Sequence, residues 1–510
     1  MRKARITGFH LGNFKAFSNR QDVPLRPITL IFGPNNSGKS SIFHALLLVG
    51  HVLRSRERNF NITRLVAGGQ EVDLGGYPQF AYRRDPVRGS LFGFDVELDS
   101  PVVLGKRASV TFNVGQVNCC SDEHPAPALG VAGINRYSFE LDGLPLLEMS
   151  ADLFGYRCTE FNRDHPTLLE YAVHHPSGIA FRSDRAPIRE AKSACRHLRT
   201  LLVGASIRHS LRTVLPSFHD FTPAKMRHKA LVLGEIAGSF SAVDFQREQP
   251  IELQDSLEGN LPLLRKDAEQ APSYIRLLLE LTALIDYVNI GILRFFEDVT
   301  HIGPIRLYPP RWYEQDLDER SLKTINSWLG DPKRLGAALR LEIHPWVRKD
   351  LPPTTTPTKN QLCLIDTRTE TEVSFRDVGF GISQLLPVLL AAHNASAGML
   401  TLVEQPEEQI HPRLQAELAD LFIDSALSKS ADGRLFLIET HSEALILRFM
   451  RRIREGKMKP SDISVLYVDP DADGSRVLHL RLNERGGFVD DWPDGFFDER
   501  YRELFPDKDS

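Results

Sequence analysis

Ile28-Thr29-Leu30-Ile31-Phe32 is an apolar run; Gly33-Pro34-Asn35-Asn36-Ser37-Gly38-Lys39-Ser40 follows it, and Ser41-Ile42-Phe43-His44-Ala45-Leu46 opens a helical pattern. Strand, glycine-bounded loop and helix stand in the order a phosphate-binding loop needs, and the eight loop residues match G-x-x-x-x-G-K-[ST] in full. Gly33 and Gly38 free the backbone N–H groups of Asn35, Asn36 and Ser37 to curl around phosphate oxygens. The helix N-terminus, with Ser41 in its first turn, adds positive potential. Lys39 is placed to reach the β- and γ-phosphates, and the Ser40 hydroxyl to ligate Mg²⁺.

Such a loop requires an acid at the end of another apolar strand for the Mg²⁺ shell. Met399-Leu400-Thr401-Leu402-Val403-Glu404 supplies one about 360 residues downstream, far beyond one compact unit of this kind. A split nucleotide-binding domain with a long insertion is therefore expected.

Four stretches carry a resemblance. They are Leu11-Gly12-Asn13-Phe14-Lys15-Ala16-Phe17, the phosphate loop, Glu404-Gln405-Pro406-Glu407-Glu408-Gln409-Ile410-His411-Pro412, and Glu439-Thr440-His441-Ser442. They resemble, in turn, the N-F-K/R-S-F strand, the Walker A loop, the E-E-P-E-x-x-L-H-P Walker B and D-loop run, and the T-H-S switch motif of ABC-class ATPases of the SMC and OLD-like branch. The resemblance implies an α/β fold: an ABC-type P-loop head with a mixed sheet, an antiparallel β lobe and a helical insertion. It implies ATP with Mg²⁺ as ligands, Ser40 and Glu404 at the metal, and His441 at the γ-phosphate. Lys15 is assigned to an α-phosphate, and Gln79, in Asp73-Leu74-Gly75-Gly76-Tyr77-Pro78-Gln79, to the Q-loop; a turn amide explains Gln79 equally. Asp377-Val378-Gly379-Phe380-Gly381-Ile382-Ser383-Gln384 looks like the divergent signature motif ahead of a helix beginning near Gln384. By resemblance, Gly379, Gly381, Ser383 and Gln384 of one subunit cap the γ-phosphate of another, in a homodimer or higher even oligomer.

One position departs from the family pattern. The residue after the Mg²⁺-shell acid is usually a glutamate that polarises the attacking water, and here it is Gln405. An amide orients water but takes no proton from it. Slow hydrolysis and a long-lived ATP state are expected, with Glu404, Gln405 and His441 as the catalytic set.

The 510 residues, at about 150 per domain, suggest roughly three units. The motif spacing rearranges these as residues 1–182, the N-terminal half of the head with its antiparallel lobe; 183–300, a helical insertion; and 301–510, the C-terminal half. After Gly303-Pro304 the chain reads as irregular up to about 361, then alternates strands and helices. Five cysteines without a C-x-x-C pair, no signal-like segment and no uninterrupted apolar span point to a cytoplasmic chain with reduced thiols. Cys119-Cys120 and His124 lack further ligands at a usual spacing for a metal.

A net charge of −4 argues against coating nucleic acid by bulk charge. Locally, Arg189, Lys192, Arg196 and Arg199 fall on one helix face within the basic stretch 182–212, spaced to track a phosphate backbone; a solvated or partner-facing helix explains the same charge. Arg448 to Lys459 is a second basic run. About 70 residues follow His441, too few for the Toprim nuclease of OLD proteins. Asp469, Asp471 and Asp473 read as a hairpin turn ahead of Gly474. With no nuclease motif of its own, the chain resembles the ATPase component of two-component anti-phage systems of the Septu and retron kind (PtuA), which pairs with a separate HNH nuclease. A DNA recombination or repair ATPase is the alternative. A transporter subunit fits poorly with the inserted β and helical regions.

Overall fold

The computed structural model describes residues 4–54, 74, 77–85, 87–98, 105–117, 131–152, 155–169, 206–207, 281, 284–285, 287–289, 291–297, 299–304, 306, 313–314, 317–346, 359–393, 400–428 and 434–493. Two compact units form, Met1–Phe14 with His51–Arg294, and Lys15–Gly50 with Phe295–Ser510. This division differs from the expected one at 182 and 300. The phosphate-loop segment groups with the C-terminal half, and the antiparallel strands group with the first fourteen residues. Most of the expected insertion, including nearly all of 182–212, lies outside the described residues, as do Cys119, Cys120 and His124. Ser206–Ile207, expected in a helix, is a short strand paired with Gly155–Phe161.

The first unit is an antiparallel meander. Arg5–Gly12 pairs with Ser90–Glu97, and Arg107–Val117, Val131–Leu141, Leu144–Asp152 and Gly155–Phe161 follow in order. Asp142 (φ 50°) and Gly143 (φ 80°) both adopt left-handed backbone, which suits the tight two-residue hairpin their sequence predicts. Phe9, Phe92, Phe94 and Phe14 are buried along its core, with Phe14 5.6 Å from Phe92 edge-on. The expected strand at Leu11–Phe17 stops at Gly12; Asn13 (φ 49°) and Lys15 (φ 46°) turn the chain instead.

The second unit holds a six-stranded sheet in the order Val299–Ile302, Leu400–Glu404, Leu435–Glu439, Ile28–Phe32, Ile463–Asp469, Arg476–Leu480. The first five strands are parallel and the last is antiparallel. Leu400–Glu404, Leu435–Glu439 and Ile28–Phe32 are buried at every position. Parallel strands covered on both faces are continuous apolar runs for this reason. Ile28, Leu30, Phe32, Phe436 and Ile438 join one core with Leu418, Phe422, Leu445 and Phe449 of the helices Pro412–Ala426 and Glu443–Arg454. Pro412 opens the first of these helices, and the Ser442 hydroxyl caps the second by accepting from Leu445 N–H.

A smaller sheet joins Leu339–Trp346 and Lys359–Asp366, with Tyr313–Glu314 and Thr371–Val373 also paired to the latter strand. The stretch expected to be irregular thus contains the strands Tyr313–Glu314 and Leu339–Trp346, and also the helix Glu319–Gly330. Asp318 caps that helix through Ser321 N–H, and Ser321, Ile325, Trp328 and Leu329 form its buried face. The helix after the signature-like stretch spans Phe380–His393, so it starts four residues before the expected Gln384. Among the described residues no helix is long and apolar enough to cross a membrane.

Candidate functional site

In open parallel sheets the carboxyl ends of the strands form the ligand crevice. Here that edge carries the phosphate loop after Phe32, with Glu439 paired to Ile31 and Glu404 paired to Glu439. The loop has the backbone its glycines predict. Gly33 (φ 145°) and Gly38 (φ 105°) lie in conformations that side chains rarely adopt, and a Cβ at Gly33 would stand 2.5 Å from the Val468 carbonyl oxygen. Asn36 (φ 62°) is left-handed. Asn35 and Asn36 are exposed, Ser37 and Ser41 are buried, and Lys39 is only 4% exposed.

Lys39 Nζ donates to the carbonyls of Gly33 (3.0 Å) and Pro34 (2.8 Å). The ammonium is thus held over the loop, 4.0 Å from Glu439 Oε1. Ser40 Oγ donates to Glu439 Oε2 at 2.8 Å. Burial pushes the Glu439 carboxyl above its ordinary range, opposed by Ser40 and Lys39. The Ser37 hydroxyl is buried without a hydrogen-bond partner, an unfilled donor at the base of a phosphate cradle. The Asp469–Arg476 hairpin braces the loop from outside. Ser475 Oγ donates to Ser37 O and Ser475 N–H to Ala16 O, while Arg476 pairs with Asp471 at 2.8 Å. The three aspartates therefore shape a turn, as their spacing predicts.

Glu404 is buried and lies one strand further from the loop, with Oε1 2.7 Å from His301 Nε2. Lys15 Nζ sits 2.7 Å from His44 Nδ1. Burial lowers the Lys15 ammonium to about 8, with Glu404 pulling the other way. Burial, then Lys15, hold His44 at about 4, so this imidazole is neutral near pH 7. His441 is likewise pushed down, by burial first and then by Lys39, and so stays a neutral imidazole near the loop lysine. Its backbone N–H donates to Glu407 Oε1 at 2.6 Å. Glu407 thereby ties the 404–411 turn to the 439–442 segment; burial raises its carboxyl above the ordinary range.

Gln405 (φ 44°) is left-handed, its N–H donating to Glu439 O at 2.8 Å. Arg306 holds this turn from below. Its guanidinium donates to the carbonyls of Glu404 and Gln405, both at 3.0 Å, and of Gln384 at 3.2 Å, while Gln384 Nε2 returns a bond to Arg306 O at 3.1 Å. Ser383 and Gln384 are buried in their own helix, whereas Gly379 is exposed ahead of it. Arg306→Ala strands three carbonyl acceptors, each bonded to a charged donor. The expected result is a loss of about 3 kcal/mol of stability, seen as a lower thermal midpoint. An unchanged midpoint would show that the clamp contributes nothing.

The expected residues from the phosphate loop, Lys15, Glu404, Gln405 and His441 all belong to this one unit. Gln79 sits exposed in the short helix Tyr77–Phe80 of the other unit. Glu439, His301, His44 and Arg306 also lie at this site, with no role assigned to them by the motifs. Glu439 had a signal, since it ends an apolar strand just as Glu404 does. The second basic run is largely consumed within the fold. Arg448 bonds Glu417 at 3.0 Å, and Arg452 is tied to Asp420 and Glu455.

Comparison with known proteins adds three family matches. Residues 137–448 match the family described as "AAA domain, putative AbiEii toxin, Type IV TA system", residues 9–69 match an AAA domain family, and residues 458–505 match a "Protein of unknown function (DUF3696)". No match is found among curated proteins. Among solved structures the chain is similar to the Smc head domain of Pyrococcus furiosus with an extended coiled coil, bound to the C-terminal domain of ScpA. Identity there is 13%, coverage 94% of this chain and 96% of that one, and TM-score 0.38. It is also similar to the SMC head domain from Thermotoga maritima, at 10% identity, covering 94% and 100%, TM-score 0.34.

Proposed function

Because the chain belongs to the AAA-domain family described as a putative AbiEii toxin of a type IV TA system, we propose that it works as an ATP-gated regulator in bacterial defence. In this reading it binds ATP with Mg²⁺, hydrolyses it slowly, closes into a dimer through the Gly379–Gln384 segment, and controls a separate HNH-type nuclease. ATP binding itself follows from the P-loop domain. The observation that carries the slow-hydrolysis reading is the turn at Gln405, whose N–H is bonded to Glu439 O and which sets an amide residue directly after Glu404.

Hard oxygen donors suit Mg²⁺: the Ser40 hydroxyl and the Glu439 carboxylate already joined to it, with Glu404 on the adjoining strand. The metal would supply charge neutralisation on the β- and γ-phosphates. His441, neutral, donates its one ring N–H to a γ-phosphate oxygen, and Gln405 orients a water.

Mass measurement of the purified chain with and without ATP tests the reading. Doubling of mass with ATP and turnover slower than about one per minute are expected, against the 1–10³ s⁻¹ common in enzymes. A chain that stays monomeric with ATP overturns the gating. The DNA-processing alternative predicts turnover strongly stimulated by DNA, and the same assay with added duplex decides it.

Lys15 adds a pH signature. Its ammonium loses its proton as pH rises through about 8, and with it a cation able to face a phosphate. ATP affinity should therefore be full near pH 7 and fall roughly tenfold by pH 9.5, the worth of one charge-assisted bond. Lys15→Arg should flatten the profile. Calorimetric titration over that range checks it, and equal affinity at both ends rejects the role.

A further inference from the structure

The smaller sheet carries a group of side chains that the nucleotide chemistry does not use. Strand alternation sends Leu341, Leu362 and Leu364 into the core, so Glu342, His344, Cys363 and Glu372 share the opposite face. Cys363 lies directly across from Glu342, with His344 two residues along the same strand. On its other side the short Thr371–Val373 strand places Glu372 opposite Ile365, two residues from Cys363. Ligand-type atoms of His344, Cys363 and Glu372 all fall within 4.8 Å of one another.

We propose that Cys363, His344 and Glu372 form a zinc site on this face of the sheet. A thiolate, an imidazole and a carboxylate are the ligand types zinc prefers, and no hard-cation site uses a thiol. Bonds of about 2.0–2.3 Å at tetrahedral angles would set the three atoms roughly 3.5 Å apart, within reach of side-chain rotation from their present spacing. Glu342 completes the arrangement. Its Oε2 lies 3.1 Å from His344 Nε2, and Arg340 holds its Oε1 at 2.8 Å. A carboxylate that fixes the imidazole in this way is a usual companion of a metal-bound histidine. Glu372 is exposed, so the ion has an open approach, and the fourth position is left to water.

Burial and the adjacent Glu372 and Glu342 push the Cys363 thiol up to about 11. Without a cation it is a neutral thiol. On binding, Zn²⁺ takes the place of that proton, which leaves to solvent, and the ion offsets the crowded negative charge.

The full chain, stripped with a chelator, is titrated with Zn²⁺ against a chromogenic competitor and separately with Co²⁺. One zinc per chain is expected, with a thiolate-to-cobalt absorption band in the near ultraviolet. Cys363→Ala should abolish the band, and Glu372→Gln should weaken zinc at least about tenfold. Lys39→Ala should leave the stoichiometry unchanged, which separates this site from the nucleotide loop. If Cys363→Ala fails to fold, Glu372→Gln and His344→Asn, at the solvent side of the sheet, give the same decision. No zinc bound by the folded chain, or zinc held equally by the variants, overturns the assignment.

Discussion

Lys39→Ala is expected to weaken ATP binding by at least about 100-fold. The ammonium is almost wholly buried, positioned by the Gly33 and Pro34 carbonyls, and is the cation that balances Glu439 at 4.0 Å. Two charge-assisted bonds to phosphate oxygens, at about 1.5–3 kcal/mol each, exceed the roughly 2.8 kcal/mol that a hundredfold change requires. Removing the lysine also leaves Glu439 facing a polyanion with no intervening charge. The measurement is a titration with ATP and Mg²⁺, paired with thermal unfolding in the absence of nucleotide, so that loss of the loop's own bonds is separated from loss of the ligand's. Affinity within about threefold of wild type, in a folded variant, would remove Lys39 from the site.

Gln405→Glu should raise single-turnover hydrolysis roughly 10- to 100-fold. General-base assistance is worth about 10²–10⁴ in favourable cases, and the amide already supplies part of the water's orientation. The substitution preserves the backbone. The left-handed Gln405 is held by its N–H to Glu439 O and by Arg306 on its carbonyl, and neither bond involves the side chain. Glu404, Glu407 and Glu439 crowd the same edge, which would raise the new carboxyl toward the neutral range where a base works best. A wild type that already turns over faster than the variant would sink the idea and shift the base role elsewhere, with Glu407 the first candidate. The same variant should shorten the lifetime of the ATP-bound dimer.

Local structure is legible where one segment contains its own reason. Leu435-Phe436-Leu437-Ile438 is an unbroken apolar run and Leu435–Glu439 forms a strand, Pro412 and Ser442 start their helices, and Asp142-Gly143 and the run of Asp469, Asp471 and Asp473 form turns, each for reasons held in its own few residues. Glu319–Gly330 carries only a weak local signal, because its cap and its Leu322-Ile325-Trp328-Leu329 spacing sit between proline-rich and polar stretches. Gly379 and Gly381 read as loop in the sequence, yet Gly381 lies within the helix Phe380–His393.

A phosphate loop between an apolar strand and a helix, one acid ending an apolar strand far downstream, and an amide in place of the usual base are all legible in the sequence alone. These are properties of short windows, set by glycine conformations, hydrophobic runs and residue chemistry. Only the tertiary structure decided that Ile28–Phe32 lies between Leu435–Glu439 and Ile463–Asp469. That order puts Glu439, not Glu404, on the Ser40 hydroxyl, ties Glu404 to His301, and brings Arg306 under both the Gln405 turn and the helix Phe380–His393. Parallel strands pair across hundreds of residues, so the partner of a buried hydroxyl or guanidinium is chosen by sheet order, which no local pattern encodes.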